Sequence, residues 1–248
     1  MRKTEEPLLY RLIRGTVDLV YPPIEIEGLE NLPEEPSILV GNHSQMNGPI
    51  MAEIRLPGKH YTWCISQMMV REEVAEYAFA DFWAEKPRWN RWFYWLVSRC
   101  IPPLSAYIFS NARTIPVYRD NRCITTFRRT MEKLQEGDHI VIFPEHSVQY
   151  NSILWEFEDR FIDVARLYYR KTGKELDFVP MYLAPRLRKM IIGEPIHFRA
   201  DQPLNQERAR ICQALMESIT QLAQAQPLHI VVPYPNLPKK AYPKNREI

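Results

Sequence analysis

The chain has 248 residues, of which 46% are hydrophobic and 25% charged, with a formal net charge of +2. That profile excludes a disordered or collagen-like chain, and it allows one or two domains with a large core. The cysteines at 64, 100, 123 and 212 have no CxxC spacing and no neighbouring histidines. This excludes a zinc framework or small disulfide scaffold and predicts reduced thiols in a cytoplasmic setting. Met1 to Glu6 is charged and leads into no signal-type apolar run, so no secretory signal is expected. Two charge-free stretches, Ser37 to Ala52 and Cys100 to Ala112, each contain proline. Both fall short of a span of about 18 apolar residues.

In chain order, Leu8, Leu9, Leu12, Ile13, Val17, Leu19 and Val20 recur at steps of three and four, mostly. They predict an amphipathic helix that packs on a core or lies on a lipid surface, ended by Pro22-Pro23. Ile24 to Glu27 reads as a short strand and Ser37 to Gly41 as a buried one that runs into Asn42-His43. A helix is expected after Pro49, a strand over 61–65, and helices over 71–82 and from Arg91, the latter interrupted at Pro102-Pro103. Thr114 to Tyr118 and His139 to Phe143 predict strands on either side of a helix over 124–135. A helix over 157–169, strands over 178–183 and 190–196, and a long helix over 206–223 follow. The Pro-rich, basic tail from Gln226 reads as extended. Strands alternating with helices predict the α/β class, a single domain with a mostly buried mixed sheet flanked by helices. The expected organisation is an amphipathic helix over 1–22, a main domain over 23–225 and a tail over 226–248.

Charge is unevenly spread. Between Lys86 and Thr130 nine cations face the single acid Asp120, interleaved with Trp89, Trp92, Phe93, Tyr94, Trp95 and other aromatics. Cations and indoles together suit an anionic membrane interface and also suit nucleic acid. A helix with a basic outer face and an aromatic core face explains the same residues. No nucleic-acid-binding motif accompanies the stretch, so a nucleic-acid partner is not expected.

Functional groups in α/β folds collect at the carboxyl ends of strands. Three polar sets stand there: Asn42-His43, Arg119-Asp120-Asn121 and Glu145-His146-Ser147. They offer a base, an anion holder and a carboxylate. Arg119 has the plainest logic, since a planar guanidinium after a strand in a basic segment can hold phosphate with two parallel hydrogen bonds. A surface salt bridge is the competing reading.

Four blocks in order resemble the glycerolipid acyltransferase family, of the lysophosphatidic-acid acyltransferase type. They are Asn42-His43-Ser44-Gln45-Met46-Asn47-Gly48-Pro49, Ile115-Pro116-Val117-Tyr118-Arg119, Val141-Ile142-Phe143-Pro144-Glu145 and Phe178-Val179-Pro180-Met181. The resemblance spans about residues 25 to 200. It implies a glycerol-3-phosphate acyltransferase-like fold, with His43 and Glu145 as catalytic residues. Arg119, Asn42, Asn47, Pro144 and His146 would contact substrate. It also implies an acyl-CoA or acyl-carrier-protein thioester as donor and a lysophospholipid or glycerol phosphate as acceptor. No metal and no cofactor beyond that co-substrate are expected. A peripheral position on an anionic membrane surface, the cytoplasmic inner face, completes the expectation.

The first block departs from the family pattern. Gly48 stands where the resemblance places an Asp beside the His, Arg113 stands where the second block usually opens with Gly, and His146 replaces the Gly of the third block. In a hydrolase triad the acid fixes the imidazole tautomer, and its change to Asn costs about 10⁴ in turnover. Glu145 and Asn47 are the available substitutes, and His146 is a second base or a packed side chain. Two readings therefore stand: an acyltransferase with His43 as general base, or a catalytically inactive relative that binds or scaffolds lipid.

Overall fold

The computed structural model describes residues 7–78, 91–100 and 102–247. In chain order the elements are α1 (Leu8–Val20), β1 (Glu25–Glu27), β2 (Ser37–Gly41), α2 (Asn47–Arg55), β3 (His60–Ile65), α3 (Arg71–Ala78), α4 (Arg91–Cys100) and α5 (Pro102–Asn111). There follow β4 (Thr114–Val117), α6 (Cys123–Gln135), β5 (His139–Ile142), β6 (Glu145–Gln149), β7 (Trp155–Phe157), α7 (Asp163–Thr172), β8 (Asp177–Ala184), β9 (Lys189–Ile192), β10 (Ile196–His197) and α8 (Leu204–Ala225). They gather into two compact units, Met1–Tyr21 with Thr62–Thr126, and Pro22–Tyr61 with Phe127–Ile248.

In the first unit β3 and β4 pair in parallel, from Thr62 opposite Thr114 to Ile65 opposite Val117. Helices α3, α4 and α5 pack on one another. The apolar stripe of α1 faces outward. Leu8, Leu9, Leu12, Leu19 and Val20 are exposed, Leu19 to 86%, and Tyr10 is the buried residue of the helix. Helix α4 likewise presents Trp92, Phe93, Trp95 and Leu96 to the surface, and the Arg99 guanidinium lies 4.0 Å from the Trp95 ring centroid. On α1 the core-facing apolar stripe is not what forms, and on α4 the described aromatic side chains Trp92, Phe93 and Trp95 face outward. The expected residues 79–82 of the third helix, and Lys86 to Trp89 of the basic stretch, lie outside the described residues.

The second unit is a mixed sheet in the order β1-β9-β8-β2-β5, with β10 added to β8. Strand β2 runs parallel to both β5 and β8, and β8 runs antiparallel to β9 and β10. Continuous apolar runs make the central strands, as burial on both faces demands: Ile38 to Val40, Ile140 to Ile142 and Phe178 to Ala184 are buried throughout. The α/β class with a helix-flanked mixed sheet is thus observed, and α8 packs on β8 with Ile211, Leu215 and Ile219 buried.

Three local expectations change. The helix expected over 157–169 starts only at Asp163, because Phe157 pairs with Glu145 in the antiparallel β6–β7 hairpin and a 3₁₀ turn follows over Asp159–Ile162. The strand expected over 190–196 breaks at Gly193, whose N–H donates to the Pro180 carbonyl and whose missing Cβ leaves room for Pro180 and Leu222. The tail is not extended. The Asn245 side chain, fully buried, donates to the carbonyls of Ala223 and Gln226 and accepts the His229 N–H at 3.0 Å. His229 in turn bonds the Tyr182 hydroxyl at 2.7 Å, and Ile230 bridges to Lys244.

Candidate active site

The carboxyl end of β2 delivers Asn42 and His43 into a tight turn before α2. Asn42 is 1% exposed, and its amide acts as an extra rung between strands. Its Oδ1 accepts the Leu183 N–H at 2.7 Å, and its Nδ2 donates to the Leu183 carbonyl at 3.0 Å and to the Ser44 hydroxyl at 2.7 Å. These bonds make Asn42 an anchor of the turn. Asn47 closes the turn by donating its amide to the Ser44 carbonyl at 3.0 Å.

Ser44 and Gln45 both hold left-handed backbone, φ 46° and 56°, a conformation that costs roughly 1–2 kcal/mol for a residue with a Cβ. The double left-handed step turns the chain back on itself, and the Gln45 carbonyl oxygen meets the Nδ1 of His43. A carbonyl only accepts, so Nδ1 carries the proton and Nε2 is the basic nitrogen. Neither Glu145 nor Asn47 supplies this bond. The backbone of the turn itself holds the imidazole tautomer.

Glu145 opens β6, after Pro144, which is buried and whose carbonyl accepts the Glu158 N–H at 2.9 Å. The Glu145 carboxylate splits its oxygens between two backbone donors, the His43 N–H at 2.5 Å and the Trp155 N–H at 3.0 Å. It therefore staples the His43 turn to the β6–β7 hairpin. Burial pushes its pKa up to about 7, against the two N–H donors that favour the charged form. Burial also holds the His43 imidazole below the ordinary histidine range, opposed by the Gln45 hydrogen bond, which favours the protonated ring. His43 is neutral at pH 7 as a result. Its ring stands edge-to-face between Phe143, at 5.5 Å, and Tyr234, at 5.7 Å between centroids.

His146 lies one residue beyond, half-buried, with Nε2 at 3.7 Å from Glu156 Oε2 and Nδ1 accepting the Val148 N–H at 3.4 Å. Its described contacts lie along the hairpin. In the first unit, Arg119 follows β4 and is exposed. Next to it, Arg122 forks Asp120 through Nε and Nη2 at 2.8–3.1 Å and lies over the Tyr118 ring at 4.5 Å. The one acid of the basic stretch is thereby engaged locally. Thr126 fixes this loop by donating to the Pro116 carbonyl and accepting the Tyr118 N–H.

The structure thus brings together His43, Glu145, Asn42, Asn47 and Pro144 around one turn. Sequence reasoning missed Gln45, which acts through a main-chain atom, and Tyr234 and Tyr242 of the tail. Tyr234 and Tyr242 had a faint signal, each an aromatic beside proline. Gln45 had none beyond its place in the first block.

No protein-family model matches the chain, and no curated protein matches it in sequence. Among solved structures, the chain is similar to the 1-acyl-sn-glycerophosphate (LPA) acyltransferase PlsC from Thermotoga maritima. The TM-score is 0.50, with 17% identity, 91% of this chain and 85% of that chain being covered. At that identity the likeness establishes a shared fold.

Proposed function

We propose that the chain transfers a fatty acyl group from an acyl thioester to the hydroxyl of a lysophospholipid or glycerol phosphate, with His43 as general base. Nε2 of His43 takes the acceptor's hydroxyl proton as that oxygen bonds to the thioester carbonyl carbon. The tetrahedral intermediate collapses, the C–S bond breaks, and the thiolate of CoA or of acyl carrier protein leaves with the proton from the imidazolium. The thioester brings its own activation, so the step as written needs neither metal nor covalent enzyme intermediate. The observation that carries the reading is the bond from His43 Nδ1 to the Gln45 carbonyl, which leaves Nε2 as the basic nitrogen on a ring that burial keeps neutral. The fold shared with the LPA acyltransferase PlsC of Thermotoga maritima supports the same chemistry. Arg119 is assigned to the acceptor phosphate, and Asn42, Asn47, Pro144 and Glu145 to shaping the turn that presents His43.

The exposed apolar residues of α1 and the exposed aromatic residues of α4 support a peripheral position on an anionic membrane, which we assign to the cytoplasmic side. Among the described residues no helix is long and apolar enough to cross a bilayer.

A second reading, lipid binding without turnover, has one observation in its favour. The group on His43 Nδ1 is a neutral carbonyl, which orients the ring but stabilises imidazolium less than a carboxylate does. Incubating the protein with acyl-CoA or acyl carrier protein thioesters and a panel of lyso-acceptors decides between them. Free thiol and acylated lipid should appear together, and His43→Ala should abolish both while lipid binding survives. Intact protein that yields no product with any donor leaves only the binding reading.

A further inference from the structure

The tail closes over the His43 turn. Its two ends are fixed to each other where Ile230 bridges Lys244 and where the Val231 N–H donates to the Pro243 carbonyl at 2.8 Å. Asn245 and His229 anchor that base to the end of α8 and to Tyr182. The loop between them reaches Gln45. The Gln45 side-chain Nε2 donates to the Tyr242 hydroxyl at 2.9 Å and to the Pro235 carbonyl at 3.3 Å. Beside this grip the Tyr234 ring packs on the His43 imidazole and lies 6.3 Å from Trp155.

Gln45 is therefore held at two points. Its amide is taken by the tail, and its carbonyl meets Nδ1 of His43. A non-glycine residue in left-handed backbone stays there only when its surroundings hold it, and the tail supplies that hold. We infer that the C-terminal segment is a positioning element of the base: Tyr242 and Pro235 fix Gln45, and Gln45 fixes the tautomer of His43. The inference rests on the reading of His43 as the base, and it makes Gln45 and Tyr242 positioning residues. It also explains how the turn works with Gly48 where the resembled block has an acid.

Nitrogen NMR on the full-length protein labelled with ¹⁵N-histidine tests this directly, with the His43 signals identified by their loss in His43→Ala. At a pH where the ring is neutral, the wild type should show a protonated Nδ1 and a bare Nε2. Gln45→Gly keeps the left-handed turn without strain but releases the grip, and Tyr242→Phe removes the hydroxyl while keeping the ring. Both should move the population toward the Nε2-protonated tautomer, Gln45→Gly further. In the acyl-transfer assay Gln45→Gly should lower kcat about tenfold with KM little changed, a part of what a well-placed base contributes. An Nε2-protonated ring in the wild type, or a tautomer that neither variant shifts, would overturn the inference. If the wild type transfers no acyl group at all, the spectra still decide whether the tail sets the tautomer.

Discussion

Gly48 approaches the carbonyl oxygen of His43 so closely that a Cβ at position 48 would stand 2.5 Å from it, and 2.8 Å from the Asn42 carbonyl oxygen. The Gly48 N–H donates to the same His43 oxygen at 3.0 Å. The backbone there is not left-handed, so close approach, and not φ, excludes a side chain. Gly48→Ala should cost about 1–3 kcal/mol or more, as overpacking against fixed backbone does. Gly48→Asp restores the acid of the resembled block but meets the same atoms, so it should lower the melting temperature and give no gain in turnover. Thermal unfolding and thiol release on both variants check this. An aspartate variant of native stability and higher turnover would show that the turn tolerates a Cβ.

Glu145 is buried with a pKa raised to about 7, so its protonated form is favoured by folding. Its contribution to stability is whole below the unfolded value near 4.5 and is lost as pH rises through about 7. Glu145→Gln does not titrate, but it turns an NH₂ toward a backbone N–H and should cost about 1–3 kcal/mol. The stability gap between wild type and this variant should therefore shrink as pH rises from about 4.5 to about 7, by something on the order of 2–3 kcal/mol. Urea unfolding across that range measures it, and a constant gap would place the Glu145 titration elsewhere.

The parts of this architecture that were legible in the sequence are those whose physics is local. Short apolar runs bounded by turn signals, such as Ile38 to Val40 and Ile140 to Phe143, read as buried strands, and the residues just beyond them, His43 and Glu145, fall where α/β folds collect polar groups. The β6–β7 hairpin was hidden because Glu-His-Ser-Val-Gln carries little apolar alternation. Phe157, Phe161 and Val164 mimic a helical stripe although Phe157 ends a strand. The partner of His43 Nδ1 was invisible for a deeper reason. A main-chain carbonyl is present at every residue, and only the left-handed pair at Ser44 and Gln45, neither a glycine, aims this one. The tail reads as extended because prolines permit an extended chain, while the residue that folds it, Asn245, acts through bonds to carbonyls some twenty positions away.

His43 sets the acid limb of activity. Burial lowers its pKa, so the neutral base persists to lower pH than a free imidazole would allow. The profile of kcat/KM should fall off on the acid side below about 6.5, the ordinary histidine value. The lowered value also means that His43 contributes stability above about 6.5 that is lost as pH falls. Glu145→Gln should keep the acid limb while removing any inflection near 7. An acid limb that disappears in Glu145→Gln would assign it to the carboxylate.

Arg119 follows β4 on a loop that Thr126 and the Arg122–Asp120 fork hold in place. If its guanidinium bridges two phosphate oxygens of the acceptor, Arg119→Lys keeps the charge and loses the planar fork. Acceptor KM should rise about tenfold, while the melting temperature stays put because the side chain is exposed. Unchanged KM would return Arg119 to a surface role.

The first unit carries apolar side chains that water does not favour. Leu9, Leu12, Leu19 and Val20 on α1 and Trp92, Trp95 and Leu96 on α4 stand at the surface, and burying one fully is worth about 1.5–3 kcal/mol. Cations such as Arg11, Arg14 and Arg99 lie on the same helices. A lipid interface offers both the apolar depth and the anionic headgroups that these residues match. The protein should therefore bind vesicles containing phosphatidylglycerol more tightly than phosphatidylcholine vesicles, and the difference should shrink at high salt. Leu12→Ser combined with Trp95→Ala should weaken binding to both kinds of vesicle. Both positions are exposed, and Trp95→Ala also removes the stacking of Arg99 on the ring, so stability should fall by no more than about 1–2 kcal/mol. Sedimentation with vesicles, alongside thermal unfolding, separates the outcomes. Equal binding by wild type and the double variant would remove these helices from the membrane and leave their apolar residues without that role.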